Sequence, residues 1–417
     1  MPLSNLGYLA LKRQTASTPA VAVVPTHFLR FNEGDLVLEQ ENIELEAVQN
    51  NAFPTTMVAG GHTASAEFTT DLDANECVHV FAGALGTITS STDISSATDG
   101  TVYSHQIDYA ASLPVFSIEQ GRGSLTDTAN NRLNYEVRRA FGAQIDSWTI
   151  KGNGSGKLEF SWKAQCIGIF HRGKLLANAG NGASVPLYLD TVEGLVATTD
   201  SVNIYDATPQ NEVDAIASLS ATAKTITIAT LGNSYTVVNN AMVFLEPLTP
   251  SFSVAPQVMT MADTQYREGA TYTAAAATTV SNLESWELTF SNNLDSRPGT
   301  IRRGASLVAP KTRVISLKCT KYFDSRADAE RYFSVQQRGM EVKISNNVIV
   351  SATDTNAAKY EITIALSNMR LKTYEMTTSY GELYAYDCEY SGLYDSSDAR
   401  AIRITVKNAS AGTVYTA

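Results

Sequence analysis

The chain of 417 residues is short of the side chains that build compact chemical sites. Its 4 cysteines (Cys77, Cys166, Cys319 and Cys388) lie far apart with no C-x-x-C pair, which removes a zinc module and a tight disulfide framework. Three of them sit in apolar alternation, the setting of a buried, reduced thiol. The 5 histidines (His27, His62, His79, His105 and His171) fall in separate segments without H-x-x-x-H or H-E-x-x-H spacing, so no local metal motif is present. No stretch approaches the roughly 18 uncharged apolar residues of a membrane-spanning helix. The N-terminus Met1-Pro2-Leu3-Ser4-Asn5-Leu6 lacks the basic region, apolar core and cleavage site of a secretory signal, so synthesis in a cytoplasm is expected. Basic residues are also in deficit. With 31 Lys and Arg against 42 Asp and Glu, the net charge is −11, which argues against a surface that grips nucleic acid or anionic lipid. A surface past which DNA slides remains compatible with that balance.

Short motifs that invite a chemical reading fail on their details. Gly152-Asn153-Gly154-Ser155-Gly156-Lys157 resembles a phosphate-binding loop, but the motif's first Gly falls on Lys151, Leu158 follows the Lys, and strand patterns flank it. It reads as a hairpin turn. Asp71, Asp73 and Asn75 have the spacing of a calcium loop, yet Glu76 stands where such a loop needs Gly and the closing acid is missing, so a helix cap is expected instead. No G-x-S-x-G elbow supports a serine hydrolase. Numerous carboxylates without a cleft identify no acid–base pair. No catalytic, cofactor-binding or metal-ligating residue is assigned, and the chain reads as a non-enzyme.

What the chain does have is period-two alternation. Leu158, Phe160, Trp162, Ala164 and Cys166 share one strand face against Lys157, Glu159, Ser161, Lys163 and Gln165 on the other. Tyr360, Ile362, Ile364 and Leu366 repeat the pattern, as do Ile402, Ile404 and Val406. In Tyr384-Ala385-Tyr386-Asp387-Cys388-Glu389-Tyr390, residues Tyr386, Cys388 and Tyr390 line one face, which suits a core or a subunit interface better than a ligand-stacking stripe. The fold class is therefore mainly β. Two short helices are expected, one from the cap Asp73-Ala74-Asn75-Glu76 carrying Val78, Phe81, Ala82 and Leu85. The other starts from Ser325-Arg326-Ala327-Asp328 and carries Ala329, Tyr332 and Phe333. Residues 1–26 read as an extended arm. Within 190–250, short strands at Ser201–Tyr205, Ala215–Leu219, Thr225–Ile228 and Met242–Leu245 read as a small β-barrel insert. Residues 251–280, including the Ala- and Thr-rich run Thr271–Thr279, read as a linker.

The strongest organising feature is an internal duplication, which points to symmetry and assembly. Gly34-Asp35-Leu36-Val37-Leu38 leads through Ala52-Phe53-Pro54 to Ser65–Leu72 and then to the first helix cap. Ser285-Trp286-Glu287-Leu288-Thr289-Phe290 leads through Gly299-Thr300-Ile301 to Val314–Cys319 and then to Asp324-Ser325-Arg326-Ala327. Two β domains are expected, at 27–175 and 281–417.

Once the copies are set in order, Trp286–Leu294, Val314–Phe333, Tyr360–Tyr374, Tyr384–Tyr390 and Ala401–Asn408 form one recognisable series of strand, strand-into-helix and closing strands. Leu9–Gln14, Gly61–Leu85, His105–Glu119, Tyr135–Phe141 and Ile145–Gln165 form the other. In this pattern and order, over about two thirds of its length, the chain resembles the tail tube proteins of long-tailed bacteriophages, in the form carrying two tube-type domains per polypeptide. That resemblance implies β-sandwich domains with a flanking helix, sheets that join between subunits into a continuous inner barrel, and a homotrimeric ring of pseudo-hexameric symmetry. It implies stacking of rings into a hollow tube that conducts double-stranded DNA without binding it specifically. It further implies partners among tape measure, terminator and distal tail proteins, location in the virion tail, and no catalytic residue, cofactor or metal. A closed ring also disposes of exposed strand edges, and an acidic lining releases a duplex that a basic one would hold. Two other readings stand beside it. One is a virion decoration or receptor-binding adhesion protein with ligand contacts on the insert; the other is an enzyme, resting only on the abundance of carboxylates.

Overall fold

A computed structural model describes residues 7–14, 20–44, 57–96, 100–123, 135–208, 211–252, 255–281, 283–298, 304–322, 326–350, 358–377 and 384–416. Strands β1 (Gly7–Arg13), β2 (His27–Leu29), β3 (Glu33–Glu44) and β4 (Met57–Asp71) lead into helix α1 (Cys77–Leu85). A hairpin of β5 (Gly86–Ser96) and β6 (Gly100–Tyr109) follows, then β7 (Phe116–Gly123), the long β8 (Tyr135–Asn153), β9 (Glu159–Cys166) and β10 (Gly168–Phe170). A separate six-stranded unit contains β11 (Gly173–Lys174), β12 (Gly182–Tyr188), β13 (Ser201–Tyr205), β14 (Asn211–Ser220), β15 (Thr225–Leu231) and β16 (Met242–Leu245). The chain returns through β17 (Thr264–Gly269), α2 (Tyr272–Ala276), β18 (Leu283–Ser291), the hairpin β19 (Asp295–Pro298) and β20 (Ala305–Ala309), and β21 (Val314–Tyr322). It ends with α3 (Ala327–Ser334), β22 (Gln337–Ile349), the long β23 (Lys359–Thr377), β24 (Ala385–Gly392), β25 (Ile402–Asn408) and α4 (Thr413–Thr416). Strands hold 62% of the residues and helices 9%, so the fold is mainly β, as the alternation predicts.

The duplication is visible in the hydrogen-bond register. In the first half β3 pairs with β4, β4 with β9, and β9 with the C-terminal half of β8. In the second half β18 pairs with β21, β21 with β24, and β24 with the C-terminal half of β23, all antiparallel as in the first. Trp148↔Trp162 corresponds to Tyr374↔Cys388, and Ile150↔Phe160 to Met376↔Tyr386. Both long strands carry a register shift at the same place, between Ile145 and Ser147 and between Leu371 and Thr373. The N-terminal halves of the long strands cross into a second sheet, where β8 pairs with β7 and β10, and β23 with β22 and β25. β1 caps β7 as β17 caps β22. Because a shift of one residue exchanges the two faces of a strand, agreement of register and bulges ties the copies together more firmly than their weak identity. A single hydrophobic core runs through both.

Several expectations change. The stretch 1–26 is not merely an extended arm, because β1 is a buried strand whose Tyr8, Leu9, Ala10 and Leu11 pack in the core against β2 and β7. Nor is 251–280 a linker throughout: β17 belongs to the second sheet, Met259 and Met261 enter the core, and Thr271 caps α2 by accepting from the Ala274 amide at 3.2 Å. The insert begins earlier than 190, since β11 and β12 belong to it and a bridge from Leu175 to Leu189 ties its outer strands as in a small barrel. Its core is its own, although Val137 and Phe170 of the first copy reach into it. Ala52-Phe53-Pro54, Gly299-Thr300-Ile301 and Asp324-Ser325 lie outside the described residues.

Both helices differ from the expected amphipathic form. Asp73 braces the turn that leads into α1, accepting from the amides of Asn75 at 2.7 Å and Glu76 at 3.3 Å, while the helix itself begins after Glu76 with no side-chain cap. Glu76 does not close the box; it takes the Arg30 amide at 2.7 Å and pairs with the Arg30 guanidinium. All nine residues of α1 are buried, as befits a helix apolar on every side, because the β5–β6 hairpin and α4 cover the face turned from the sheet. In α3 the order is reversed: Asp328 is the buried residue, while Tyr332 and Phe333 face outward. The second copy has no hairpin between α3 and β22 that could cover them.

Candidate assembly interface

The two copies meet at a seam within the chain. β8 pairs antiparallel with β18, from Ser285↔Asn153 to Ser291↔Ser147, so the two four-stranded sheets form one surface. Trp148 stacks on Phe290 with ring centroids 5.8 Å apart and planes 16° from parallel, and Phe290 is only 2% exposed. Trp286 donates its Nε1–H to the Met261 sulfur at 3.1 Å and lies over Gly152, where a Cβ would come within 3.0 Å of that nitrogen. Beyond the strands, the Asn292 side chain donates to the carbonyls of Ala84 at 2.9 Å and Ile145 at 3.0 Å. The Leu294 amide donates to Asp146 Oδ1 at 2.7 Å.

The repeat counterparts of the two seam strands are open at the far ends of the sheet. Among the described residues β3 pairs with β4 alone, and residues 371–377 of β23 pair with β24 alone. The seam register, carried across by the repeat, sets Leu36 opposite Met376 and Leu38 opposite Tyr374. Leu38 occupies the place of Phe290 on the core face but is 42% exposed, and Met376 occupies the place of Ile150 but is 47% exposed. A core face therefore stops uncovered at both edges. Polar side chains blunt one of them: Gln120 donates to the Gly34 carbonyl at 3.0 Å and accepts from the Leu36 amide at 3.3 Å, while Arg138 donates to the Leu36 carbonyl at 2.9 Å.

The outward face of the continuous sheet is polar and paired. One row across the strands reads Asp71, Glu159, Lys151, Glu287, Lys318 and Glu389. Another is built of hydroxyls: Thr69, Ser161, Thr149, Thr289, Ser316 and Ser391, with Thr149 and Thr289 joined at 3.0 Å. Lysines on this face sit beside carboxylates: Lys163 with Glu67 at 2.8 Å, Lys157 with Asp71 at 2.6 Å, Lys372 with Glu389 at 3.2 Å. Glu39, Glu375 and Asp387 add further negative charge, while Asp35 is paired with Arg122 at 3.2 Å and Arg138 at 3.4 Å.

Residues singled out in the sequence take structural places. Gly154, at φ +60°, turns the β8–β9 hairpin, and Lys157 is held by Asp71. Asp73 braces the turn before α1. All four cysteines are free and buried, and burial pushes the Cys166 thiol up to about 12. Tyr386, Cys388 and Tyr390 lie in the core, whereas Tyr384 is exposed. Three histidines do converge: His27 and His105 flank a cluster in which His79 and Tyr415 of α4 have ring centroids 4.8 Å apart, and His105 is held by Ser90 and Asn408. The rings pack rather than converge on a point. Among the described residues no group of three or more His, Cys, Asp or Glu could hold a metal ion, and no helix is long and apolar enough to cross a membrane.

Two buried ionic clusters were not legible in the sequence. Arg139 joins Glu119 at 2.6 Å and Asp200 at 2.6 Å, fastening the insert to the first copy, and Tyr8 donates to Glu119 as well. Lys321 is enclosed by Glu268, Asp328 and the Tyr390 hydroxyl; burial alone would lower its ammonium pKa, but the charge of Glu268, with that of Asp328, holds it above its ordinary value. The edge residues Leu38, Tyr374 and Met376 were missed because alternation assigns a face but not whether a neighbour covers it. No known protein family and no curated protein matches this chain.

Proposed function

We propose that the chain is a structural virion protein, the subunit of a bacteriophage tail tube, assembling as homotrimeric, pseudo-hexameric rings that stack into a conduit for DNA. The observation that carries this reading is the repeated sheet with one closed seam and two matching open edges. Joining β3 of one chain to β23 of the next reproduces the β8–β18 seam, and a ring of such joins leaves no edge of this sheet unpaired. The count of three chains comes from the resemblance in sequence order. In this arrangement the polar outward face lines the bore. Lys157, Lys163 and Lys372 are already paired with carboxylates, and Lys151 and Lys318 alternate with Glu159, Glu287 and Glu389 across the strands, so a passing duplex with a charge about every 1.7 Å meets cations interspersed with negative charge.

Electron microscopy of the purified protein tests the proposal. Hollow rings or tubes with true three-fold and approximate six-fold symmetry are expected. A protein that stays a compact monomer at high concentration, and is absent from virions, overturns it.

A further inference from the structure

The seam within the chain contains more than paired strands. Where β18 ends, the chain continues into the β19–β20 hairpin, which lies on the first copy. Leu294, Ala305 and Val308 pack with Phe141, Ile167 and Ala22, at the bend of β8 and the β9–β10 corner. Among the described residues the equivalent continuation of β3, residues 39–43, has no such apolar ground, although Glu39, Gln40 and Glu41 border a groove shared with Ser296 and Ala305 of the β19–β20 hairpin. Ile43 is 47% exposed, and Glu39 and Glu41 are exposed beside it. The equivalent ground on the second copy is bare in turn. At the β24–β25 corner Leu393 is 38% and Tyr394 64% exposed, and Arg370 and Lys372 of the β23 bend face solvent. Asp146, which receives the Leu294 amide in the intact seam, is replaced in the second copy by Lys372.

From this equivalence we infer that residues 39–43 of one chain dock on the Leu393–Tyr394 corner of a second copy of the chain. The contact supplements the sheet join and rests on the ring reading. Apolar meets apolar, Ile43 on Leu393 and Tyr394, and the acidic flank of Glu39 and Glu41 meets Arg370, with Lys372 beside it already paired to Glu389, which selects this partner face over others. The occupant is a second copy because the repeat-equivalent pair of surfaces, the β19–β20 hairpin on the β9–β10 corner, is already joined once inside the chain.

The full chain carrying Ile43→Cys and Leu393→Cys, oxidised mildly beside each single variant, provides the test; the native thiols are all buried. Species of two and three cross-linked chains are expected from the pair and none from either single variant. Ile43→Asp with Leu393→Asp should reduce the ring fraction at least about tenfold while leaving the monomer's Tm unchanged. Rings that persist undiminished in the Asp variant, or a cross-link confined within one chain, overturn the docking and leave the ring reading standing. Failure of the unmodified protein to form rings overturns both.

Discussion

At the scale of single residues, the telling side chains are buried charges and buried imidazoles. Arg139 is 1% exposed and is shared by two carboxylates equally buried, so Arg139→Met leaves Glu119 and Asp200 facing each other without a cation. A loss of about 3–5 kcal/mol is expected in urea unfolding. His79 is fully buried, and burial, then the neighbouring His27, pull its pKa down from 6.5 to about 3. Between those values the unfolded chain carries a proton that the folded one does not, so stability falls as pH drops from 6.5, by at most about 1.4 kcal/mol per unit. Glu76 acts in the opposite sense: burial pushes its carboxyl up to about 7, so its contribution is full below 4.5 and is lost as pH rises through 7. His79→Leu removes only the first effect. The Tm of the variant should therefore rise relative to that of wild type as pH is lowered from 6.5 to 4, and a constant difference would contradict the assignment. None of these roles was legible from residue type, because a histidine or arginine declares its chemistry but not its burial.

Strands were largely legible at the scale of elements, and helices less so. The faces of β9, β24 and β25 follow their alternation because a half-buried strand writes its environment into every second residue. α3 misled for a physical reason. Its apolar residues suggested a face laid on a sheet, but Lys321, buried on β21, needs counter-charges, and Asp328 supplies one at 3.4 Å with Arg331 beside it. The helix is thus anchored by its polar side, with Phe333 80% exposed. Phe333→Ala should accordingly change unfolding stability by no more than about 0.5 kcal/mol, far below the cost of truncating a buried Phe. β1 was hidden because its four consecutive buried residues, covered on both faces, show no alternation at all.

On the scale of the whole molecule, the repeated register makes the chain a fragment of a larger closed sheet. Leu38→Pro removes an amide from one open edge, where proline is tolerated, and Met376→Lys places a charge on the other. Each should leave the monomer within about 0.5 kcal/mol of wild type and abolish rings in sedimentation and in micrographs; intact rings from either variant would show that these edges are not joined. The sequence by itself determined that the chain is mainly β, duplicated, acidic and without a local catalytic or metal motif, because composition, period and spacing are properties of the chain alone. Only the tertiary structure decided which strands adjoin, that β8 and β18 close one seam, and that β3 and β23 end with core side chains uncovered. Partners such as β8 and β18, or β6 and β25, lie far apart in the chain and leave no local trace, so the open edges came into view only when the sheet was assembled.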